Sequence, residues 1–276
     1  MGIQVAEFIP GNMAGSVYSN MTHQERLVFA KNLALAFDAI WTFPLPKGFK
    51  IGELYATRDE QSIKLEVKPD RHYSLGGPFD SVAEYLRAHI RGALKATIAQ
   101  EGIDEYKSRY LQRLTDFVES GMLGIPAFVE ETPVVFVHSD LGLHNIIVSS
   151  SNPSEIVGII DWEFCGSLPY PCLDYMIERL FRKSPVNGYG PEYDDADQLR
   201  DAFWDAIPSW TEWNKSEAVK VFREWHQFGK FMKPEPLGTG AQESERERVW
   251  GHHEKVVREF LVKWAPNKRS VAEYIY

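Results

Sequence analysis

At 276 residues, 44% of them hydrophobic and with 39 acidic against 30 basic side chains, the chain is long enough for one large domain or two small ones. Its formal charge of −9 at pH 7 argues against a nucleic-acid partner, because binding a phosphate backbone rests on clustered Lys and Arg. The same charge would tolerate or steer a cationic small molecule, although most surface charge of this kind serves solubility.

The opening MGIQVAEFIPGNMAG has no basic stretch followed by a long apolar run, so it is no secretory signal, and Ala6 stands where a myristoylation motif needs Ser or Thr. A cytoplasmic protein that does not engage membranes is expected. The first nine residues read as the end of a strand closed by Pro10 and Gly11. Thr22 and Glu25 then form a capping box. It opens a helix whose apolar stripe is Leu27, Ala30, Leu33, Ala34, Phe37, Ile40 and Trp41, ended by Pro44 and Pro46. Short alternating runs from Lys47 to Val67 fit small strands or an irregular excursion. Ser81 with Glu84 caps a second long helix whose inner face carries Val82, Tyr85, Leu86 and Ile90. A third is expected from about Asp104 to Ser120, with Tyr110, Leu111, Leu114, Phe117 and Val118 inward and Gly121 as its stop.

A β-rich stretch follows, VVFVHSDLGLHNIIVSSSNPSEIVGIIDWEF from Val134 to Phe164. Asn152 and Pro153 mark a turn between two strands that should pair as a hairpin. Beyond Phe164 the pattern returns to helices over 173–181, 199–206, 216–232 and 243–264, with a Gly-, Pro- and acid-rich loop over 183–198. The two cysteines, Cys165 and Cys172, are too far apart for a CxxC pair and have no second ligand pair for zinc, so they read as idle or buried thiols. His252 and His253, on the last helix, read as surface residues. The fold class expected is α+β and predominantly helical, with a central β-hairpin.

The polar residues within the hairpin region are the ones that point to chemistry. Asp140 follows an apolar strand and precedes a tight loop ending at Asn145, and Asp161 ends the next apolar run, so two carboxylates and an amide should converge. Oxygen donors of this kind suit Mg²⁺, which takes one or two carboxylates together with phosphate oxygens. A nucleotide would supply the phosphate, and the remaining carboxylate, Asp140, could orient or deprotonate an attacking hydroxyl. Loop-capping carboxylates that only accept backbone hydrogen bonds are the structural alternative. His144, inside the loop, could approach substrate, although a solvent-facing side chain is the expectation.

His138 to Asn145 match HxDxxxxN, and Ile160-Asp161-Trp162-Glu163 resembles the metal-binding segment of aminoglycoside phosphotransferases and related small-molecule kinases. Glu7 to Gly11 resemble the hinge of that family, and Gly77 to Ser81 a stretch common among its fungal and bacterial members. The resemblance implies the C-terminal lobe of a protein-kinase-like fold. It makes Asp140 the catalytic base and His138 the brace of the catalytic loop, with Asn145 and Asp161 as metal ligands for Mg²⁺. The backbone of Glu7, Phe8 and Ile9 would face the adenine of ATP. Gly166, Pro169 and Asp174 resemble the segment after the metal aspartate, Asp174 as a structural helix anchor.

One domain over 1–276 is implied, with a hinge remnant at 1–11, a core lobe carrying the catalytic loop at 12–181 and a helical subdomain at 182–276. The family's glycine-rich loop and nucleotide lysine have no counterpart here. A kinase of small-molecule hydroxyls is therefore expected alongside two alternatives, a catalytically impaired binding or regulatory protein and an enzyme that uses the acidic pocket on another phosphate- or diphosphate-bearing metabolite. For the acceptor, the acidic run Glu192 to Asp197 could contact amino groups and the Trp204 to Trp213 stretch could wall a pocket. Against these stand a solvated loop and ordinary core packing.

Overall fold

The computed structural model describes residues 8–58, 63–70, 75–120, 124–183, 190–237 and 240–264. In chain order these form β1 (Asn12–Met13), α1 (Ala14–Val17), α2 (His23–Trp41), β2 (Gly52–Arg58), β3 (Ile63–Lys68), α3 (Val82–Ala99) and α4 (Asp104–Ser120). They continue with β4 (Val134–His138), β5 (Ile146–Val148), β6 (Ile156–Ile159), β7 (Cys165–Pro169), α5 (Asp174–Glu178) and α6 (Ala196–Asp205). The last three are α7 (Pro208–Lys215), α8 (Glu217–Phe231) and α9 (Glu243–Trp264). The architecture is α+β and predominantly helical, as the periodicity predicts. No helix among the described residues is long and apolar enough to cross a membrane.

The chain divides into two compact units built from interleaved stretches: Met1–Phe49, Glu53–Glu66 and Val134–Asn214 in one, Lys50–Gly52, Val67–Pro133 and Lys215–Tyr276 in the other. In the first unit, α2 begins at the expected capping box: Thr22 Oγ1 accepts from the Glu25 N–H, and the Glu25 carboxylate accepts from the Thr22 N–H at 2.7 Å. Its stripe is buried as read, with Phe29 added and Leu27 only half-buried. The expected hairpin is β5 with β6, antiparallel, Ile146 opposite Ile159. Its turn is closed by Asn152, whose side chain accepts from the Ser154 N–H and whose carbonyl accepts from the Glu155 N–H.

Two features of this unit depart from the sequence reading. The short β1 pairs antiparallel with β5, whereas the strand expected over the first nine residues lies mostly outside the described residues. Residues Cys165–Pro169, left without an element between the hairpin and the helix expected from 173, form β7 and pair with β4 from His138↔Cys165 to Val134↔Pro169 in a sheet ordered β3-β2-β7-β4. Gly166, Ser167 and Pro169 give this segment little β-propensity of its own, so its strand is imposed by the apolar partner β4.

Gly11 makes the pairing of β1 possible. It sits at φ +154°, and a Cβ there would lie 2.4 Å from the Val148 carbonyl oxygen. Gly11→Ala is expected to lower stability by about 1–3 kcal/mol, read as a lower urea midpoint; an unchanged midpoint would show that the strands can part at no cost.

In the second unit, α3 starts at Ser81, whose hydroxyl accepts from the Glu84 N–H, and buries Val82, Tyr85, Leu86 and Ile90. Helix α4 buries Tyr106, Tyr110, Leu114, Phe117 and Val118, while its expected stop, Gly121, lies outside the described residues. His253 is half-buried rather than superficial, its ring 5.1 Å from that of Phe231, and burial holds it at about 4.

Between α3 and α8 the rings of Tyr85, His89, Phe222 and His226 lie nearly parallel, with His89 and His226 4.4 Å apart. His89 Nε2 lies 3.0 Å from the His226 carbonyl, and Gly229 leaves the space its ring occupies. Burial lowers His89 to about 4 and His226 well below the ordinary range; Lys230 adds to both shifts. These histidines fold neutral. Their stabilising effect is complete above pH 6.5 and is lost as pH falls towards about 4. At ~1.4 kcal/mol per tenfold change in proton affinity, His89 alone is worth at most about 3 kcal/mol. His226→Phe, which keeps a stacked ring, is expected to flatten the fall in urea midpoint between pH 7 and pH 4.5; an equally steep fall in the variant would assign the acid lability elsewhere.

Candidate active site

Strand β4 ends at His138, which is fully buried, and the chain then turns through Ser139 and Asp140 into the loop before β5. The Asp140 N–H donates to His138 Nδ1 at 3.2 Å, so Nδ1 is an acceptor and the hydrogen belongs on Nε2. Nε2 then donates to the Ile160 carbonyl at 2.9 Å. One imidazole thereby ties the start of the loop to the residue before Asp161. Two backbone bonds add to the lacing: Ser139 N–H to the Phe164 carbonyl at 2.7 Å, and Ile160 N–H to the Asn145 carbonyl at 3.0 Å.

Asn145 is 4% exposed. Its Nδ2 donates to the Asp140 carbonyl at 2.9 Å and to Asp140 Oδ2 at 3.3 Å. With the amide nitrogen so engaged, Oδ1 points the other way and accepts nothing from the described residues.

Asp161 is the one described non-glycine residue with positive φ, at φ 64° and ψ 52°. Aspartate is among the few side chains that tolerate this left-handed state, which strands rarely contain. The carboxylate is exposed and takes no hydrogen bond from the described residues. Trp162 follows, its indole donating to the Ile159 carbonyl at 2.8 Å and its ring 4.9 Å from His138.

The expected trio is therefore brought to one loop-and-hairpin end. Asp140 and Asn145 touch directly, and Asp161 joins them through Ile160 and His138. Among the described residues no three His, Cys, Asp or Glu side chains form a metal cluster. A donor set of one carboxylate and one amide oxygen would hold a hard cation only together with phosphate oxygens and water. Asn145 Oδ1 and the Asp161 carboxylate are unsatisfied oxygen donors of that type, so the residues fit Mg²⁺. Cys165 is no nucleophile here: burial pushes its thiol up to about 11, and Sγ donates to the Trp162 carbonyl.

The other expectations fared unevenly. Of the hinge, Glu7 lies outside the described residues, Phe8 is exposed, and Ile9 packs where a side chain at Gly158 would sit. Asp174 opens α5, as the helix-anchor reading implies. The acidic run is not a set of unpaired carboxylates. Glu192 accepts from Arg200 at 2.6 Å and Arg182 at 2.8 Å, and the Arg200 bond holds its carboxyl low. Burial raises Asp195, but hydrogen bonds from His23 and Arg26 outweigh it and leave the carboxyl lowered. These two acids brace the unit internally.

In the tryptophan stretch, Trp210 is core: its ring packs edge-on to Trp41 and tilted against Tyr170, and its indole donates to Asp38 at 2.8 Å. The stretch also contains α7, unread in the sequence although Pro208 occupies its first position, where proline favours helix initiation. His144 faces solvent in part, as expected, but its contact with Asp140 was not foreseen. Its side chain is 48% exposed, yet Nε2 lies 3.1 Å from Asp140 Oδ2. The four-residue spacing within so short a loop was the available signal.

A family model described as "Phosphotransferase enzyme family" matches residues 5–170. A search of the curated proteins returns no match. Among solved structures, one titled "Structure of the gentamicin-APH(2")-IIa complex" is similar at 11% identity and a TM-score of 0.43, over 98% of this chain and 71% of that one. Because the matched family span exceeds half of the chain and contains the whole loop and hairpin described above, the chain belongs to the phosphotransferase enzyme family.

Proposed function

We propose that this protein transfers the terminal phosphoryl group of ATP to a hydroxyl of a small molecule. Asp140 is the base, and Asn145 and Asp161 are the oxygen ligands of Mg²⁺. The observation that carries this reading is the division of labour at one loop: Asn145 spends its amide nitrogen on Asp140, its backbone carbonyl accepts from the N–H of Ile160, and the next residue, Asp161, is left-handed with an exposed carboxylate.

Phosphoryl transfer demands positioning and charge stabilisation more than covalent chemistry from the protein. Mg²⁺, when held by Asn145 and Asp161, would supply positive charge against the phosphate. The chain's own residues do the rest. His138 fixes the loop against the Asp161 turn, Asn145 fixes Asp140, and the Asp140 carboxylate accepts the hydroxyl proton as the oxygen attacks phosphorus. A hydroxyl-bearing small molecule as acceptor accords with the family.

The test is to incubate the protein with Mg-ATP and a panel of amino sugars, amino alcohols and hydroxy amino acids, and to follow the mass of each acceptor. One acceptor gaining a phosphoryl group in step with ADP formation is the expected result; ATP left intact across a broad panel would count against it.

A further inference from the structure

His144 takes no part in the scheme above, yet its ring lies against the proposed base. Nε2 is 3.1 Å from Asp140 Oδ2, the same oxygen that Asn145 Nδ2 approaches at 3.3 Å. An ionised carboxylate can only accept, so Nε2 must carry the hydrogen. Both donors thus converge on Oδ2, while Oδ1 takes no hydrogen bond from the described residues. Gly142 makes the arrangement possible: a Cβ there would lie 2.5 Å from His144 Cε1 and 2.6 Å from Nδ1. The ring folds back across the bare Cα of Gly142 to reach a residue four positions earlier.

We infer that His144 is a positioning residue for phosphoryl transfer, holding Oδ2 so that Oδ1 is the oxygen presented to the acceptor. The inference rests on the phosphotransfer reading. Rotation of a carboxylate about its last bond is soft, and two donors on one oxygen remove that freedom. In the step it serves, the acceptor O–H bond breaks and its proton passes to Oδ1. The acceptor oxygen bonds to the γ-phosphorus as the bond from phosphorus to the bridging oxygen breaks, and ADP leaves with that electron pair.

The full-length chain tests this with Mg-ATP as phosphoryl donor and water as acceptor, phosphate release being the readout. His144→Leu removes the donor. His144→Gln restores one, since glutamine Nε2 stands the same number of bonds from Cβ as histidine Nε2. The expected result is a kcat about 10- to 100-fold lower in H144L, as small misplacements of reacting groups cost, with KM for ATP within about twofold and much of the rate regained in H144Q. Side-chain ¹⁵N NMR of the resting protein should show His144 as the Nε2–H tautomer, and Asp140→Asn should shift its signals.

Turnover in H144L equal to the parent overturns the inference and leaves phosphotransfer standing. Failure of the parent chain to bind Mg-ATP overturns both. Where nucleotide binds without hydrolysis the tautomer decides, the Nδ1–H form or a freely averaging ring counting against the inference.

Discussion

Asp140→Asn is expected to lower phosphoryl transfer by about 10²- to 10⁴-fold, the range in which general-base catalysis contributes. The substitution is nearly isosteric. The Asn145 amide would still find the backbone carbonyl of residue 140, and His138 would still accept from the backbone N–H of that residue, so the loop should hold its shape. What disappears is the proton acceptor. The loss should therefore fall on kcat, with KM for ATP changed only a few-fold, because a group that acts in the transition state alone does not report on nucleotide binding. Steady-state kinetics on any acceptor found by the panel, together with a melting curve to show an intact fold, reads this directly. A variant retaining a tenth or more of the parent rate would assign the base elsewhere.

The second large effect concerns stability. Trp225, on α8, is fully buried, with Phe117 of α4 at 5.7 Å and Phe260 and Trp264 of α9 at 5.1 and 5.4 Å between ring centroids. Removing an indole from such a site takes away its transfer free energy and leaves a cavity its neighbours cannot close, so Trp225→Ala should cost about 3–5 kcal/mol. Trp225→Phe should be much milder, under about 2 kcal/mol. The indole N–H has no hydrogen-bond partner among the described residues, and removing an unsatisfied buried donor offsets part of the lost packing. Urea unfolding of both variants checks the contrast; equal losses, or an alanine variant as stable as the parent, would show that this cluster is not the core of its unit.

The elements with strong local signals were legible in the sequence. Capping boxes and 3.6-residue periodicity placed α2 and α3, and Asn152 with Pro153 placed the hairpin turn. The segments missed were those whose structure is imposed from a distance. Strand β7 carries Gly, Ser and Pro and becomes a strand only beside β4, and the short α7 draws its order from Trp210 packing on Trp41 and Tyr170.

The site follows the same division. That Asp140, Asn145 and Asp161 gather at one end of the hairpin could be expected from spacing, since one aspartate follows an apolar strand and the other ends the run that folds back beside it. How they meet could not. That His138 uses one ring nitrogen on each side of the site, that Asp161 is left-handed and that His144 reaches Asp140 are facts of three-dimensional closure. The acidic run left two readings open in the sequence, a contact for amino groups or a solvated loop. Of its carboxylates, Glu192 pairs with Arg182 and Arg200, and Asp195 with His23 and Arg26, partners distant in sequence or on other elements that no local pattern reveals.

Isothermal titration of Mg-ATP into the parent chain and into Asp161→Gly reaches the central claim most directly. Glycine adopts the left-handed backbone of residue 161 without strain, so the variant loses the carboxylate and little else. Saturable binding that requires Mg²⁺, is abolished by EDTA and is weakened at least tenfold in the variant is the expected result. Equal affinity in the two proteins, or no heat of binding in either, would contradict the assignment of Asp161 and Asn145 to a metal-nucleotide site.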